Sequence, residues 1–167
     1  MNSQDITVST CNLHLRGEIS AIDTYTHAIE VFSESACTHV MATIRSVHHR
    51  NADALRKWVI VAGAKPSSQS GLWSTLIRKA EGASTWLGET STLKNLQREE
   101  ERDWKAYQRT LKVQDVSIET KLLIQDELIP HITANIIALH LHRARMMERA
   151  QRPQRWRSPA NDDSDSE

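Results

Sequence analysis

The sequence predicts an all-α fold: an antiparallel four-helix bundle with a short extra helix in the crossover and a disordered C-terminal tail. Three observations carry this expectation. Apolar residues recur at steps of three and four through most of the chain, the spacing that lines one face of a helix. Only five glycines and four prolines interrupt 167 residues, too little turn chemistry for a β-sandwich. One long loop, GAKPSSQSG, divides the chain into two helix pairs, each joined by a short connection of the kind that favours antiparallel neighbours.

The elements follow in order. Residues 1–7 read as a polar lead-in, and Ser9 or Thr10 as the cap of a first helix running to about residue 33. Its stripe is Leu15, Glu18, Ile22, Tyr25, Ile29 and Phe32. A second helix covers about residues 37–62 with the stripe Met41, Ile44, His48, Asn51, Leu55, Trp58 and Ala62, closed by Gly63 at C′ and stopped by Pro66. A shorter helix over residues 72–87 directs Trp73, Leu76, Ile77, Ala80 and Trp86 inward, with Gly88 at its break. The third main helix spans residues 89–111 and carries Leu93, Leu96, Glu100, Tyr107 and Leu111. The charged run from Arg98 to Asp103 reads as an outer face from which one or two acids turn inward.

Ser117 with Thr120 opens a fourth helix to about residue 147. Two inward faces compete along it. One is Ile118, Leu122, Ile129, Ile132, Ile136 and Leu139, and beside it lie Leu128, His131 and Asn135. Pro130 removes a backbone hydrogen bond and predicts a kink, or a split into two helices. The bundle thus spans residues 8–149. Residues 150–167 read as a disordered tail that follows Arg149, basic at Arg152, Arg155 and Arg157, then acidic at Asp162, Asp163, Asp165 and Glu167.

Bulk properties exclude several classes. Lys plus Arg (21) equals Asp plus Glu (21), which argues against a nucleic-acid binder or a membrane-surface protein. Cys11 and Cys37 make no disulfide framework and no metal-ligand spacing, as expected of thiols in a reducing compartment. No signal segment precedes the first helix and no apolar run approaches membrane-spanning length. The expected compartment is the cytoplasm. Nothing has the pattern of a nucleophile with its base, a phosphate loop or a dinucleotide fingerprint.

The unusual feature is polar side chains at mid-core. Glu18 occupies a leucine position in an apolar stripe, and Glu100 repeats it, each with a tyrosine seven residues on. Each following main helix carries a His and an Asn: His48 and Asn51, then His131 and Asn135. If the two halves are related by a pseudo-twofold axis, Glu18, His48, Glu100 and His131 approach the centre at similar height. A buried carboxylate requires a partner, hydrogen bonds or a metal. Two readings therefore stand side by side: metal ligation, or a polar network in which the carboxylates accept hydrogen bonds from Tyr25, Tyr107, His48 and His131.

The stretches EISAIDTY, GAKPSSQSGLW, EERDWKAY and ELIPHITANIIAL, over residues 10–142, resemble the ferritin-like superfamily. More narrowly, the chain resembles a bacterial family of ferritin-like four-helix-bundle proteins of unknown function. The superfamily builds a di-metal site from a Glu on each of two helices and a Glu-x-x-His on each of the other two. The resemblance implies Glu18, His48, Glu100 and His131 as metal ligands, Glu127 as a further candidate, and Tyr25 and Tyr107 as donors behind them. The chain departs from the pattern in having His48-x-x-Asn51 in the second helix and Asn135 where a ligand histidine is expected. Two Glu and two His suit a single iron, manganese or zinc ion better than a pair.

Three function classes follow. The first is a structural or stress-associated bundle with a degenerate central metal site, acting through self-association or a partner. The second is a metal-binding oxidoreductase or storage protein built on the Glu/His cluster. The third, ranked last, is nucleic-acid association through the arginine tail. A homodimer along helix faces is the expected assembly.

Overall fold

The computed structural model describes residues 2–68 and 88–151. The described chain is all-helical, with four main helices and no strand. The expected helix over residues 72–87 and the tail beyond Gln151 lie outside the described residues.

Helix α1 is Ser3–Val31. It starts earlier than Ser9 or Thr10, because Asn2 and Asp5 form a capping box. Asn2 Oδ1 accepts the Asp5 N–H at 2.8 Å, and Asp5 Oδ2 accepts the Asn2 N–H at 3.1 Å. Two orphan donors of the first turn are thereby satisfied. The residues expected to be a lead-in are helical because this cap outweighs the lack of apolar side chains there.

Helix α2 is Thr38–Val61. It ends in a Schellman motif: Gly63 N–H donates to Ile60 O at 2.9 Å and Ala64 N–H to Val59 O at 3.1 Å. Gly63 adopts the required left-handed conformation, with φ 72°. Helix α3 is Glu89–Leu111, matching its expected bounds. Helix α4 runs over Ile118–Gln151, capped by Ser117 Oγ, which accepts the Thr120 N–H at 3.2 Å.

Pro130 produces neither of the two expected outcomes in pure form. Within α4, Ile118–Leu123 and Ile129–Gln151 are α-helical, and Ile124–Leu128 between them is a π-helical turn. Ile129 N–H reaches back five residues to Ile124 O. Pro130 has no N–H to donate, and its ring conflicts with the carbonyl four residues earlier. The wider turn accommodates both facts while the helix continues. It also alters which face is inward: Leu123, Ile124, Leu128, Ile132, Asn135 and Leu139 are buried, whereas Ile118 and Leu122 are 63% and 48% exposed. The stripe expected to start at Ile118 is corrected accordingly.

By length and composition α4 is apolar enough to cross a membrane, contrary to the expectation that no segment approaches that length. The same composition suits a helix whose apolar side faces a protein core, which is how Leu128, Ile132 and Leu139 are used here.

Helix α1 packs mainly on α2, and α3 on α4. Gln4 near the start of α1 donates to Ala62 O just past the end of α2. Near the end of α1, Thr26 accepts from Arg45, early in α2. Two apolar clusters result. One gathers Cys11, Leu15, Leu55, Val59, Leu123, Leu128 and Ile132. The other gathers Ala28, Met41, Ile44, Leu93, Leu96 and Leu139. Every helix contributes to both, and between its two contributions each helix carries polar side chains: Glu18, His48 with Asn51, Glu100, and Asn135. The mid-core polar residues therefore form one layer between two apolar ones. Cys11 and Cys37 are buried free thiols, one in each cluster.

Gly63 and Gly17 make a test of the backbone argument, since a Cβ at either would meet nothing within 4 Å. Gly63→Ala is expected to lose about 1–2 kcal/mol from left-handed strain alone. Gly17→Ala, inside α1, is expected to gain about 0.5–1 kcal/mol. Urea denaturation of both variants gives the two signs.

Candidate functional site

His48 stands at the centre of the polar layer, 1% exposed. Its Nδ1 lies 2.7 Å from Glu18 Oε2 and its Nε2 lies 2.9 Å from Glu100 Oε1. Tyr107 donates its hydroxyl to Glu18 Oε1, and Tyr25 donates to Glu100 Oε1 at 2.7 Å. Asn51 Nδ2 donates to Glu18 Oε1 at 3.3 Å and Asn135 Nδ2 to Glu100 Oε2 at 3.1 Å. Each glutamate thus receives one tyrosine, one asparagine and one ring nitrogen of the shared histidine.

The tyrosines cross over. Two helical turns, about 10 Å of rise, separate Tyr25 from Glu18 on α1, and it bonds instead to Glu100 on α3. Tyr107 bonds to Glu18 in return.

The protonation pattern follows from the donors. Both tyrosine hydroxyls point at carboxylate oxygens, and burial, with the nearby carboxylates, holds both phenols well above their usual range. Both asparagines present N–H groups. If His48 were neutral, one ring lone pair would face a carboxylate lone pair. Burial alone would lower its pKa, but the charges of Glu18 and Glu100 and the hydrogen bonds to them outweigh burial and hold it at about 10. His48 is therefore an imidazolium at neutral pH, donating from both nitrogens.

The other expected residues lie further out. His131 is half-buried and its Nδ1 sits 2.7 Å from Asn51 Oδ1, so it touches the carboxylates only through Asn51. It does not reach the centre at the height of His48. Three positions before Asn135, where His48 stands relative to Asn51, the second half has buried Ile132. Glu127 is corrected more fully: it is exposed and lines a surface hollow with Arg50, Asp53 and Lys57.

Two further titratable side chains flank the network. Asp103, the last acid of the charged run, lines a cleft between α1 and α3 with Glu18 and Glu100. Burial first, then the charges of those two glutamates, push its carboxyl up to about 7. His14 was not singled out in the sequence. It stacks on Tyr107 with ring centroids 4.4 Å apart and pairs through Nε2 with Thr110 Oγ1 at 2.8 Å. Burial lowers its pKa to about 4. Its position four residues before Glu18, on the same helical face, was the available signal.

The fit of a metal can be judged from the donors. Glu18 and Glu100 have all four oxygens engaged by hydrogen-bond donors, and both nitrogens of His48 carry protons directed at them. Among the described residues, no group of three or more His, Cys, Asp or Glu is arranged to hold a metal ion. The ligand set implied by the resemblance does not fit a metal in this arrangement.

Comparison with known proteins adds no relative. No family model, curated protein or solved structure matches the chain.

Two predictions test the network. The folded-state pKa of His48 lies above the usual 6.5, so its stabilisation is complete below about pH 6.5 and is lost as pH rises through about 10. Unfolding free energy is expected to fall by about 3–4 kcal/mol between pH 7 and 10, and His48→Gln to flatten that slope. Asp103 titrates in the same sense at lower pH, and Cys11, Cys37, Tyr25 and Tyr107 in the same sense at higher pH, so it is the difference between the parent chain and His48→Gln that isolates His48.

Tyr25→Phe and Tyr107→Phe each remove one donor from a buried carboxylate. Each is expected to cost about 1–3 kcal/mol by denaturant titration. The near-symmetric network makes the two losses similar, and a loss confined to one tyrosine counts against it.

Proposed function

We propose that this chain is a non-catalytic helical-bundle protein with a structural role, in which the histidinium of His48 takes the place that a metal holds in ferritin-like bundles. The observation that supports the reading is the double bridge from His48 to Glu18 and Glu100. One imidazolium between two carboxylates supplies positive charge and fixes both side chains, two of the services a bound cation gives to facing glutamates.

The bundle reading itself rests on contact order. Gln4 meets Ala62 and Thr26 meets Arg45, a pairing that runs in opposite senses along α1 and α2. Tyr25 with Glu100 and Tyr107 with Glu18 do the same for α1 and α3, and His14 with Thr110 agrees. These relations support an antiparallel four-helix bundle; a ferritin-like one draws carboxylates from all four helices, whereas here α1 and α3 supply the two in the buried layer. Self-association or a protein partner is the mode of action this reading favours. The rival, an iron, manganese or zinc protein with oxidoreductase or storage activity, needs carboxylate oxygens that His48, Tyr25, Tyr107, Asn51 and Asn135 already occupy.

The test is direct. Protein purified without chelator is expected to carry less than about one-tenth of an ion per chain and to take up no added Fe(II). Nitrogen NMR of the imidazole is expected to give two protonated ring nitrogens for His48 at pH 7–8. Stoichiometric metal bound with loss of the imidazolium signal, and abolished by Glu18→Ala, overturns the reading.

A further inference from the structure

Helix α4 is apolar on two sides. Its inward side faces the core, yet only 33% of its most apolar stretch is buried inside the chain. The outward side carries Ile118, Leu122, Pro130, Ala134, Ile137 and Leu141, all exposed, Ile137 by 53% and Leu141 by 48%. Ile118 and Leu122 are four apart, and two further steps of four, through Asp126, carry the line across the widened turn to Pro130. From there Ala134, Ile137, Leu141 and the half-buried Ala144 follow at steps of four, three, four and three, the spacing of a coiled-coil seam. Glu148 ends the line.

The charges beside this seam are ordered along it. Asp126 and Glu127 are exposed in its first half, and Arg145 and Arg149 in its second. A helix with acids early and bases late along one apolar face is complementary to its own reverse. That is the property an isologous interface requires, in which one surface patch meets a copy of itself.

We propose that the outward face of α4 docks a second copy of this chain, the two α4 helices lying antiparallel across a twofold axis near Ala134 and Ile137. Ala134 then meets the partner's Ile137, Pro130 the partner's Leu141, and Asp126 with Glu127 the partner's Arg145. The twofold repeats each contact. The small side chain of Ala134 lets the helices approach closely at the axis. The proposal deepens the structural reading above and rests on it, because it names the partner and the surface for self-association. A lipid surface fits the stripe less well, since Asp126 and Glu127 would face its anionic headgroups. A seam about 45 Å long and about 10 Å wide removes on the order of 1,000 Å² in total from water, the lower end for a specific interface. A dimer of micromolar strength is therefore expected.

The experiment measures the mass of the full chain by analytical ultracentrifugation over about 1–100 μM. The parent chain is expected to move toward twice the 19.0 kDa of one chain as concentration rises. Ile137→Lys, at an exposed site, is expected to keep the helical circular dichroism spectrum and to weaken dimerisation by about a hundredfold. Arg145→Glu and Glu127→Arg each set like charges against each other twice, and each is expected to weaken it by about tenfold. An equimolar mixture of those two charge variants restores both opposite-charge pairs and is expected to dimerise as the parent chain does.

A monomer up to about 100 μM, a dimer that Ile137→Lys leaves intact, or a mixture of the charge variants no tighter than either alone overturns the proposal. A monomeric chain that sediments with phosphatidylcholine–phosphatidylglycerol vesicles overturns it in favour of a lipid surface. Metal content and the imidazole NMR signal of the central layer are read independently of mass. Loss of the dimer with His48 still an imidazolium removes only the α4 inference, whereas stoichiometric metal removes the reading beneath it.

Discussion

The pairing of one histidinium with two glutamates is the constraint on which the rest of this core depends. Glu18 and Glu100 are almost completely buried, and an unpaired carboxylate there would cost several kcal/mol. His48 binds both at once, and every helix then supplies the remaining donors: Tyr25 from α1, Asn51 from α2, Tyr107 from α3 and Asn135 from α4. A buried ion pair is weak evidence for stability, because desolvation offsets much of its attraction. Its value lies in register. Sliding any one helix by a residue rotates its donor by about 100° and leaves a charged acceptor unpaired. The two apolar clusters on either side tolerate many packings, and the polar layer between them tolerates few.

This accounts for how legible the molecule was in its sequence. The periodicity of Leu15, Glu18 and Tyr25, and of Met41, Ile44, His48 and Asn51, placed the layer correctly, since an inward helical face depends only on spacing. The Schellman end at Gly63 and the bounds of α3 followed from local chemistry in the same way. The partner of each tyrosine did not. Which glutamate Tyr25 reaches depends on how α3 sits against α1, and that is a tertiary fact. The start of α1 was misplaced because the capping pair Asn2 and Asp5 lies outside the apolar pattern that guided the reading. His14 went unremarked for the opposite reason: as a single polar residue on an apolar face, it gave no pairing signal of its own.

The two halves are close to symmetric in their glutamates, tyrosines and asparagines, and they differ in that His48 is matched by Ile132. A second histidine at the place of Ile132 would put two imidazoles against two carboxylates. Charge balance would then permit two imidazolium ions, or two neutral ligands for a cation. With Ile132 there instead, two carboxylates meet one imidazolium, and the excess negative charge is felt by Asp103, whose carboxyl is held at about 7 partly by those glutamates. The asymmetry of one side chain thus sets the charge of the whole layer.

That asymmetry has a backbone cause. In an unbroken α-helix, residues seven apart stand two turns apart on nearly the same face, so the inward position of Ile124 would pass to His131. The π turn at Ile124–Leu128 contains one residue more than an α-turn, and the inward position passes to Ile132. His131 is rotated by about 100° toward Asn51, where it is found. The turn is widened immediately ahead of Pro130, whose ring and missing N–H the α-register would not accommodate. The chemistry available at the centre is therefore decided some distance from it. The proline rotates a histidine out of the core, and His48 is left as the single cation shared by Glu18 and Glu100.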